Sequence, residues 1–174
     1  MILIFVMKEF DKELSEISTL IRTLESDFYE MERETGNLVQ RLEDMAGKYS
    51  LPIQPKLALI RGNLICGYKE EGTMQSRKEK LTEKKRFLVQ QLAEAAECIE
   101  NYFMPARKQF DECEKICGQI IVHAYHKGLG GQGEDLLTQV LQDAELAAHL
   151  MNVKAVVGGV NTRIIFEQAQ VYMK

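Results

Sequence analysis

Residues 8–46, which read KEFDKELSEISTLIRTLESDFYEMERETGNLVQRLEDMA, carry the pattern that decides the fold. The seam positions follow one another in unbroken steps of four and three, and all but one are apolar: Phe10, Leu14, Ile17, Ile21, Leu24, Phe28, Met31, Thr35, Leu38, Leu42 and Met45. Such spacing is typical of the heptad seam of a coiled-coil-like helix. It predicts one helix over residues 8–46, about 58 Å long. The helix is expected to end at Gly47, before Pro52 and Pro55.

The seam has to be covered by other helices. Burying ten apolar side chains contributes on the order of 15–30 kcal/mol gross, at about 1.5–3 kcal/mol each, which excludes a solvated stripe. The seam mixes Phe28, Thr35 and Leu42 at one heptad position, whereas a parallel dimer prefers β-branched residues there. An irregular seam of this kind favours packing against several helices of the same chain.

A second long helix is predicted over residues 76–127. Ser76 and Glu79 have the spacing of a capping box, which marks its start. Its apolar stripe consists of Leu81, Leu88, Leu92, Ala95, Ile99, Tyr102, Ala106, Phe110, Cys113, Cys117, Ile120 and Ala124. Pro105 removes one backbone hydrogen bond and clashes with the preceding turn. We therefore expect a kink at Met104-Pro105, or a break into helices 76–104 and 106–127.

The remaining segments are shorter. Residues 47–75 have the character of a loop region, in which residues 57–66 fit either a tight β-hairpin or a glycine-broken helix. Beyond residue 133, helices are predicted over 135–157 and 161–173, although the start of the last is also compatible with a strand. The predicted fold class is all-α: a long antiparallel coiled-coil-like helical hairpin extended into a helical bundle. It forms one domain over residues 1–174.

Composition narrows the range of functions. The formal net charge of −4 at pH 7 disfavours binding to polyanions, because cationic side chains dominate affinity for phosphate backbones. Four cysteines in a helix-rich chain of this length favour free thiols in a reducing compartment, so we expect a cytoplasmic protein. The apolar start, Met1–Met7, is too short to span a membrane. It fits an end packed onto the fold, or an extension that precedes a start at Met7.

Two histidines, His123 and His126, lie three residues apart and share one helix face, as a pair of metal ligands would. A metal site needs further ligands, and the helical zinc pattern with a glutamate after the first histidine is missing. The two histidines and Lys127 equally suit a helix C-terminus before Gly128. His123 and His126 are therefore weak metal candidates, and no cofactor is expected.

The other candidate sites have structural explanations. The glycine-rich segment Gly128–Gly133 follows a helix, and two carboxylates come after it, so it suits a hinge between helices better than a phosphate loop. Cys113 and Cys117 share a helix face with apolar residues, which favours core thiols. Glu145 and His149 have the spacing of a surface pair. No nucleophile motif surrounds any serine, and no catalytic activity is expected.

The basic run, residues 77–86, is the most informative polar feature, and its six cations form the predicted interaction surface. Six of the ten residues from 77 to 86 are cationic and two are anionic: Arg77, Lys78, Lys80, Lys84, Lys85 and Arg86 against Glu79 and Glu83. Residues 8–46 instead hold eleven acidic and five basic side chains. In an antiparallel hairpin the basic run would meet acidic residues of the first helix. The expected acidic partners are Glu30, Glu32, Glu34, Glu43 and Asp44.

These features favour a non-enzymatic protein–protein interaction module, such as a coiled-coil adaptor, a small chaperone or a structural subunit. The expected partner is another protein of helical structure, or a second copy of the chain. One alternative is a metal- or ligand-binding bundle that uses His123 and His126. The other is nucleic-acid binding through residues 77–86, which the acidic balance of the chain disfavours.

Overall fold

The computed structural model describes residues 2–22, 27–69 and 76–173. Within these ranges the chain forms α-helices and no strand, which confirms the all-α prediction. The helices are α1 (Leu3–Arg22), α2 (Phe28–Lys48), α3 (Gln54–Cys66), α4 (Arg77–His126), α5 (Glu134–Gln142), α6 (Ala144–Val157) and α7 (Gly159–Tyr172). None of these described helices combines the length and the apolar character that a membrane crossing requires.

The single helix expected over residues 8–46 is wrong. Asp27 has a non-helical backbone, with φ −52° and ψ 128°, and its side chain accepts a hydrogen bond of 3.1 Å from the backbone N–H of Tyr29. An aspartate at this position satisfies one of the free N–H groups of a new helix, so α2 starts here. Leu24 of the predicted seam lies outside the described residues.

Helix α2 runs back along α1. The hydroxyl of Tyr49 donates to the carboxylate of Glu9 at 2.7 Å. The guanidinium of Arg41 donates to Glu13 at 3.1 Å and to Glu16 at 2.7 Å. Because late residues of α2 meet early residues of α1, the two helices are antiparallel. The two antiparallel helices therefore both belong to residues 3–48, where a single helix over residues 8–46 was predicted.

The seam is nevertheless buried. Among its described members, four are fully buried, two are nearly so and none is exposed; the fully buried ones are Phe10, Thr35, Leu38 and Leu42. Thr35, the polar member, has a buried hydroxyl without a hydrogen-bond partner. The periodicity thus identified the core side of both helices correctly.

Residues 57–66 belong to a helix, so the β-hairpin alternative is wrong. Pro55 lies in the first turn of α3, where its missing N–H has no helical acceptor to satisfy. The helix ends at Gly67, whose φ of +72° favours glycine. Arg61 of α3 pairs with Glu43 of α2, and Asn63 donates to Gln91 of α4 at 3.5 Å.

The chain divides into two compact units, one of Phe5–Phe103 and one of Met104–Lys174 with Ile2–Ile4. The first unit contains α1 from Phe5 onward, α2, α3 and α4 as far as Phe103, and its contacts define an antiparallel helical bundle. The rings of Phe10 and Phe103 lie 5.3 Å apart between α1 and α4 in its core. The expectation of one domain over the whole chain stays a prediction.

Helix α4 continues through Pro105, so the predicted break into two helices does not occur. Pro105 and Asn101 are both exposed. The carbonyl group that the proline leaves without a donor therefore lies on a face that water reaches, which lowers the cost of keeping the helix intact. The boundary between the two compact units falls beside this proline.

In the second unit, the helix expected over 135–157 is divided in two. Asp143 ends α5 with an extended backbone and caps α6 by accepting hydrogen bonds of 3.1 Å from the N–H groups of Glu145 and Leu146. The last helix, α7, is confirmed, and it begins two residues earlier than predicted. At the N-terminus, α1 begins at Leu3 and buries Ile4, Val6 and Met7.

Gly36 lies inside α2 and Gly62 inside α3, so substituting them tests the helical assignment of both segments. A Cβ atom added at Gly36 or Gly62 would have no neighbour within 4 Å. The double variant Gly36→Ala/Gly62→Ala should therefore unfold at higher urea concentration, with a gain of about 0.5–1 kcal/mol per site. Gly67→Ala is the matched control and should destabilise, because φ there is +72°. A β-hairpin or loop at residue 62 would reverse the expected gain at that position.

Candidate functional site

The basic run forms the first three turns of α4. The predicted capping box is confirmed: the N–H of Ser76 donates to the Glu79 carboxylate at 2.9 Å, and the N–H of Glu79 donates to the Ser76 hydroxyl at 3.2 Å. This reciprocal cap fixes where α4 begins and hence which way its first side chains point. Arg77 and Lys78 are exposed.

These cations form one wall of a cleft in the first unit. The cleft has a volume of about 870 Å³ and opens between the start of α4 and the start of α2. Its lining consists of Asp27, Phe28, Tyr29, Glu32, Arg77, Lys78, Lys80, Leu81, Lys84 and Lys85. Five cationic and two anionic side chains leave an excess of positive charge there. We call this feature the basic cleft.

Apolar groups share the basic cleft with the charges. Tyr29 is 77% exposed, and Leu81 is 41% exposed. The rings of Phe28 and Tyr29 meet edge to face with centroids 5.9 Å apart, a contact that restricts the exposed Tyr29 ring. The ammonium of Lys84 lies 6.0 Å from the centre of the Phe28 ring, within the range of a cation–π contact.

The five acidic residues expected to meet the basic run are not all brought together with it. Glu32 lines the basic cleft with the lysines. Glu43 instead accepts hydrogen bonds from Arg61 and Gln54, and Asp44 accepts one from Gln40 of its own helix. Helix α2 starts at the same end of the bundle as α4, so the C-terminal half of the acidic segment lies away from the basic run.

Arg86, the last member of the predicted interaction surface, does not line the basic cleft. Its guanidinium donates to Glu83, one turn earlier on α4, at 2.9 Å. The other five predicted residues are brought together. Sequence reasoning missed the opposite wall, which Asp27, Phe28 and Tyr29 form. The capping-box spacing of Asp27 and Glu30 was a signal that a helix begins there.

The two histidines lie in the second unit, in the last turn of α4. His123 and His126 line an open groove of about 620 Å³ together with Val122 and Met173. Within the described part of the chain, no three His, Cys, Asp or Glu side chains are arranged to hold a metal ion. Two imidazoles without further protein ligands do not make a structural zinc site.

Lys127 joins the end of α4 to the start of α6. Its ammonium donates to Glu145 at 2.8 Å and to Asp143 at 3.2 Å. The pKa of Asp143 is lowered, first by the hydrogen bond from the N–H of Leu146 and then by the one from Lys127. The same lysine lowers the pKa of Glu145, and both carboxylates raise the pKa of Lys127. Glu145 therefore pairs with Lys127, not with His149 as its spacing suggested.

Two glutamines that the sequence did not single out hold the glycine-rich segment. The side chain of Gln139 both accepts from the N–H of Gly130, at 3.2 Å, and donates to its carbonyl, at 2.5 Å. Buried Gln170 accepts from the N–H of Gly133 at 2.7 Å and donates to the carbonyl of Gly131 at 3.1 Å. The N–H groups of Gly130 and Gly133, which a phosphate would need, already have partners, and this supports a structural role for the segment.

Three of the four cysteines are core residues. Cys98, Cys113 and Cys117 are buried and unpaired, and Cys66 is exposed. Burial raises the pKa of all three buried thiols, and it raises that of Cys117 to about 12. A thiol with so high a pKa is a poor nucleophile and a poor metal ligand at neutral pH.

The fold and the basic cleft define an all-α helical-bundle protein with one concentrated cationic surface. No family model, curated protein or solved structure matches the chain. The case for a function therefore depends on the geometry of this chain alone.

Thiol labelling tests the assignment of the cysteines. In the folded protein at about pH 8 we expect one thiol, Cys66, to react rapidly with a disulfide reagent, and the other three to react only on unfolding. Mass spectrometry after a timed quench identifies the labelled residues. Cys66→Ala should abolish the fast reaction. Rapid labelling of Cys113 or Cys117 in the native state would contradict their placement in the core.

The cap at Asp143 predicts a specific pH dependence. Because its pKa is lower when folded than its ordinary value of 3.8, Asp143 adds stability above that value and loses it as the pH falls through the folded pKa. Urea unfolding should therefore depend less on pH, from about pH 5 to about pH 2, in Asp143→Asn and Asp143→Ala.

At neutral pH we expect the two variants to differ in their free energy of unfolding. Asparagine is also a good N-cap, whereas alanine is not, so Asp143→Ala should be the less stable of the two. A pH profile for Asp143→Asn that superimposes on that of the unmodified protein would show that Asp143 does not contribute to acid sensitivity.

Proposed function

We propose that this chain is a non-enzymatic protein–protein interaction module of the cytoplasm, and that the basic cleft is its docking surface. The observation that carries the proposal is the combination of an exposed tyrosine, Tyr29, with five cations along one wall of a cleft. Tyrosine and arginine are enriched among the residues that dominate binding energy at protein interfaces, and a row of lysines adds electrostatic complementarity to an acidic partner.

The arrangement of the other charges supports this reading. An arginine or lysine that serves the fold is usually paired in place, as Arg61 is with Glu43 and Arg41 is with Glu13 and Glu16. Arg77 and Lys78 instead are exposed and line the basic cleft. Exposed ion pairs contribute only about 0–1 kcal/mol each to stability, so these two cations have little structural benefit at their positions.

Free cysteines are consistent with the proposed cytoplasmic setting, since reducing compartments keep thiols unpaired. The chain would act as an adaptor or a small chaperone: a rigid bundle that presents one surface to a partner. Such a role needs no reactive group. The buried thiols and the glycine-rich segment, which Gln139 and Gln170 hold by hydrogen bonds, are then parts of the scaffold.

Site-specific photo-crosslinking in the native host tests the proposal. A photoreactive amino acid at position 81, inside the basic cleft, should give one recurrent crosslinked protein, identified by mass spectrometry. The same residue at position 59 is the control, because Leu59 is 65% exposed on α3 and lies outside the cleft.

A charge-reversal variant tests whether the cations of the basic cleft contribute to binding. Arg77→Glu/Lys78→Glu should reduce the crosslink at position 81 by roughly tenfold, since it removes two cations from the mouth of the cleft. Acidic residues suit the first turn of a helix, so this variant should remain folded. Crosslinks that survive the reversal, or that form equally well at position 59, would contradict docking in the basic cleft. Recovery of nucleic acid in place of protein would support the alternative function.

A further inference from the structure

We infer that the occupant of the basic cleft is a short amphipathic helix of a partner protein, with acidic residues along one edge and a large apolar residue at its centre. This inference rests on the proposed docking function and adds the chemical class of the partner. It follows from the size of the cleft, the distribution of charge on its two walls and the position of its apolar side chains.

The dimensions of the cleft match a helix. On the α4 side the lining spans Arg77–Lys85, which corresponds to about 12 Å along the helix axis. Two turns of an α-helix extend about 11 Å along the helix axis, so the α4 wall is long enough to contact roughly two turns of a guest helix.

The charges are divided between the walls. All five cations belong to α4, and both carboxylates, Asp27 and Glu32, belong to the α2 side. A guest helix with an acidic edge toward α4 and a neutral or basic edge toward α2 would match both walls. A nucleic-acid duplex is anionic on every side and would place phosphates against Asp27 and Glu32, where like charges repel. The divided charge therefore favours a peptide over a duplex, and the oligothymidylate below tests a single strand, which can direct its phosphates to one wall only.

The apolar side chains of the basic cleft indicate which residue a guest helix would carry between its acidic edge and its neutral or basic edge. Tyr29 and Leu81 belong to opposite walls, and both are exposed. The edge-to-face contact with Phe28 restricts Tyr29 before any partner arrives. A tyrosine that is already restricted loses little conformational entropy on binding, which is why such residues are effective anchors. A leucine or an aromatic residue of the guest would cover both side chains.

A synthetic peptide provides the probe. We would use a blocked helical peptide of about 18 residues, long enough to form a helix, built from alanine with a glutamate edge and a central leucine pair. A second peptide replaces each glutamate by lysine. The third probe is a single-stranded oligothymidylate. Each carries a fluorophore, and fluorescence anisotropy with the full chain gives the Kd at low and at high salt.

The acidic peptide should bind most tightly of the three, and its binding should weaken with salt because screening reduces attraction between exposed charges. Arg77→Glu/Lys78→Glu should weaken it by roughly tenfold, and Tyr29→Ala by a similar factor. Lys8→Glu/Lys12→Glu is the matched control: it makes the same change in net charge at exposed sites on α1, outside the cleft, and should alter the Kd by less than about twofold.

Three results would overturn the inference: equal binding of the lysine peptide, no effect of Arg77→Glu/Lys78→Glu, or tightest binding of the oligothymidylate. Circular dichroism of each variant checks that it remains folded. Failure of this inference can be distinguished from failure of the proposed function. If a protein crosslinks through position 81 but the acidic peptide does not bind, the proposed class of partner is rejected and the proposed docking surface is retained.

Discussion

The first unit depends on the burial of one apolar stripe that changes direction at Asp27. The stripe is too apolar to stay in water, and α1 and α2 bury it by folding against each other and against α3 and α4. The capping bond from Asp27 to the N–H of Tyr29 allows this reversal, because it satisfies part of the new helix end. The ion pairs of Arg41 with Glu13 and Glu16 then accompany the antiparallel arrangement on its surface.

The basic cleft is a consequence of the same reversal. Had residues 8–46 formed one helix, Asp27, Phe28 and Tyr29 would have been mid-helix residues with no exposed helix end beside them. Since α2 starts at Asp27, its first turn lies next to the first turn of α4, and the lysines of α4 face an aromatic pair. The cap at Asp27 therefore accompanies the reversal of the chain, and it places Asp27, Phe28 and Tyr29 at a helix end beside the basic run.

In the second unit, hydrogen-bonding side chains determine where helices begin and where the connecting segments lie. Asp143 divides what the apolar pattern presents as one helix, and Lys127 pairs with that cap from the end of α4. Gln139 and Gln170 satisfy the backbone of the glycine-rich segment. These polar contacts give the segment a fixed path even though four of its six residues are glycines.

The sequence by itself determined the helical class, the core side of the long helices, the capping box at Ser76 and the cationic run that forms one wall of the cleft. These follow from short-range rules of spacing and capping, which act within a few residues. Only the tertiary structure decided that α1 and α2 are separate and antiparallel, that residues 57–66 are helical and that Phe103 lies against Phe10. It also decided that Tyr29 faces the lysines. The physical reason is that periodicity records which side of a helix is buried, whereas the direction of the chain and the choice of neighbour depend on contacts between residues far apart in sequence.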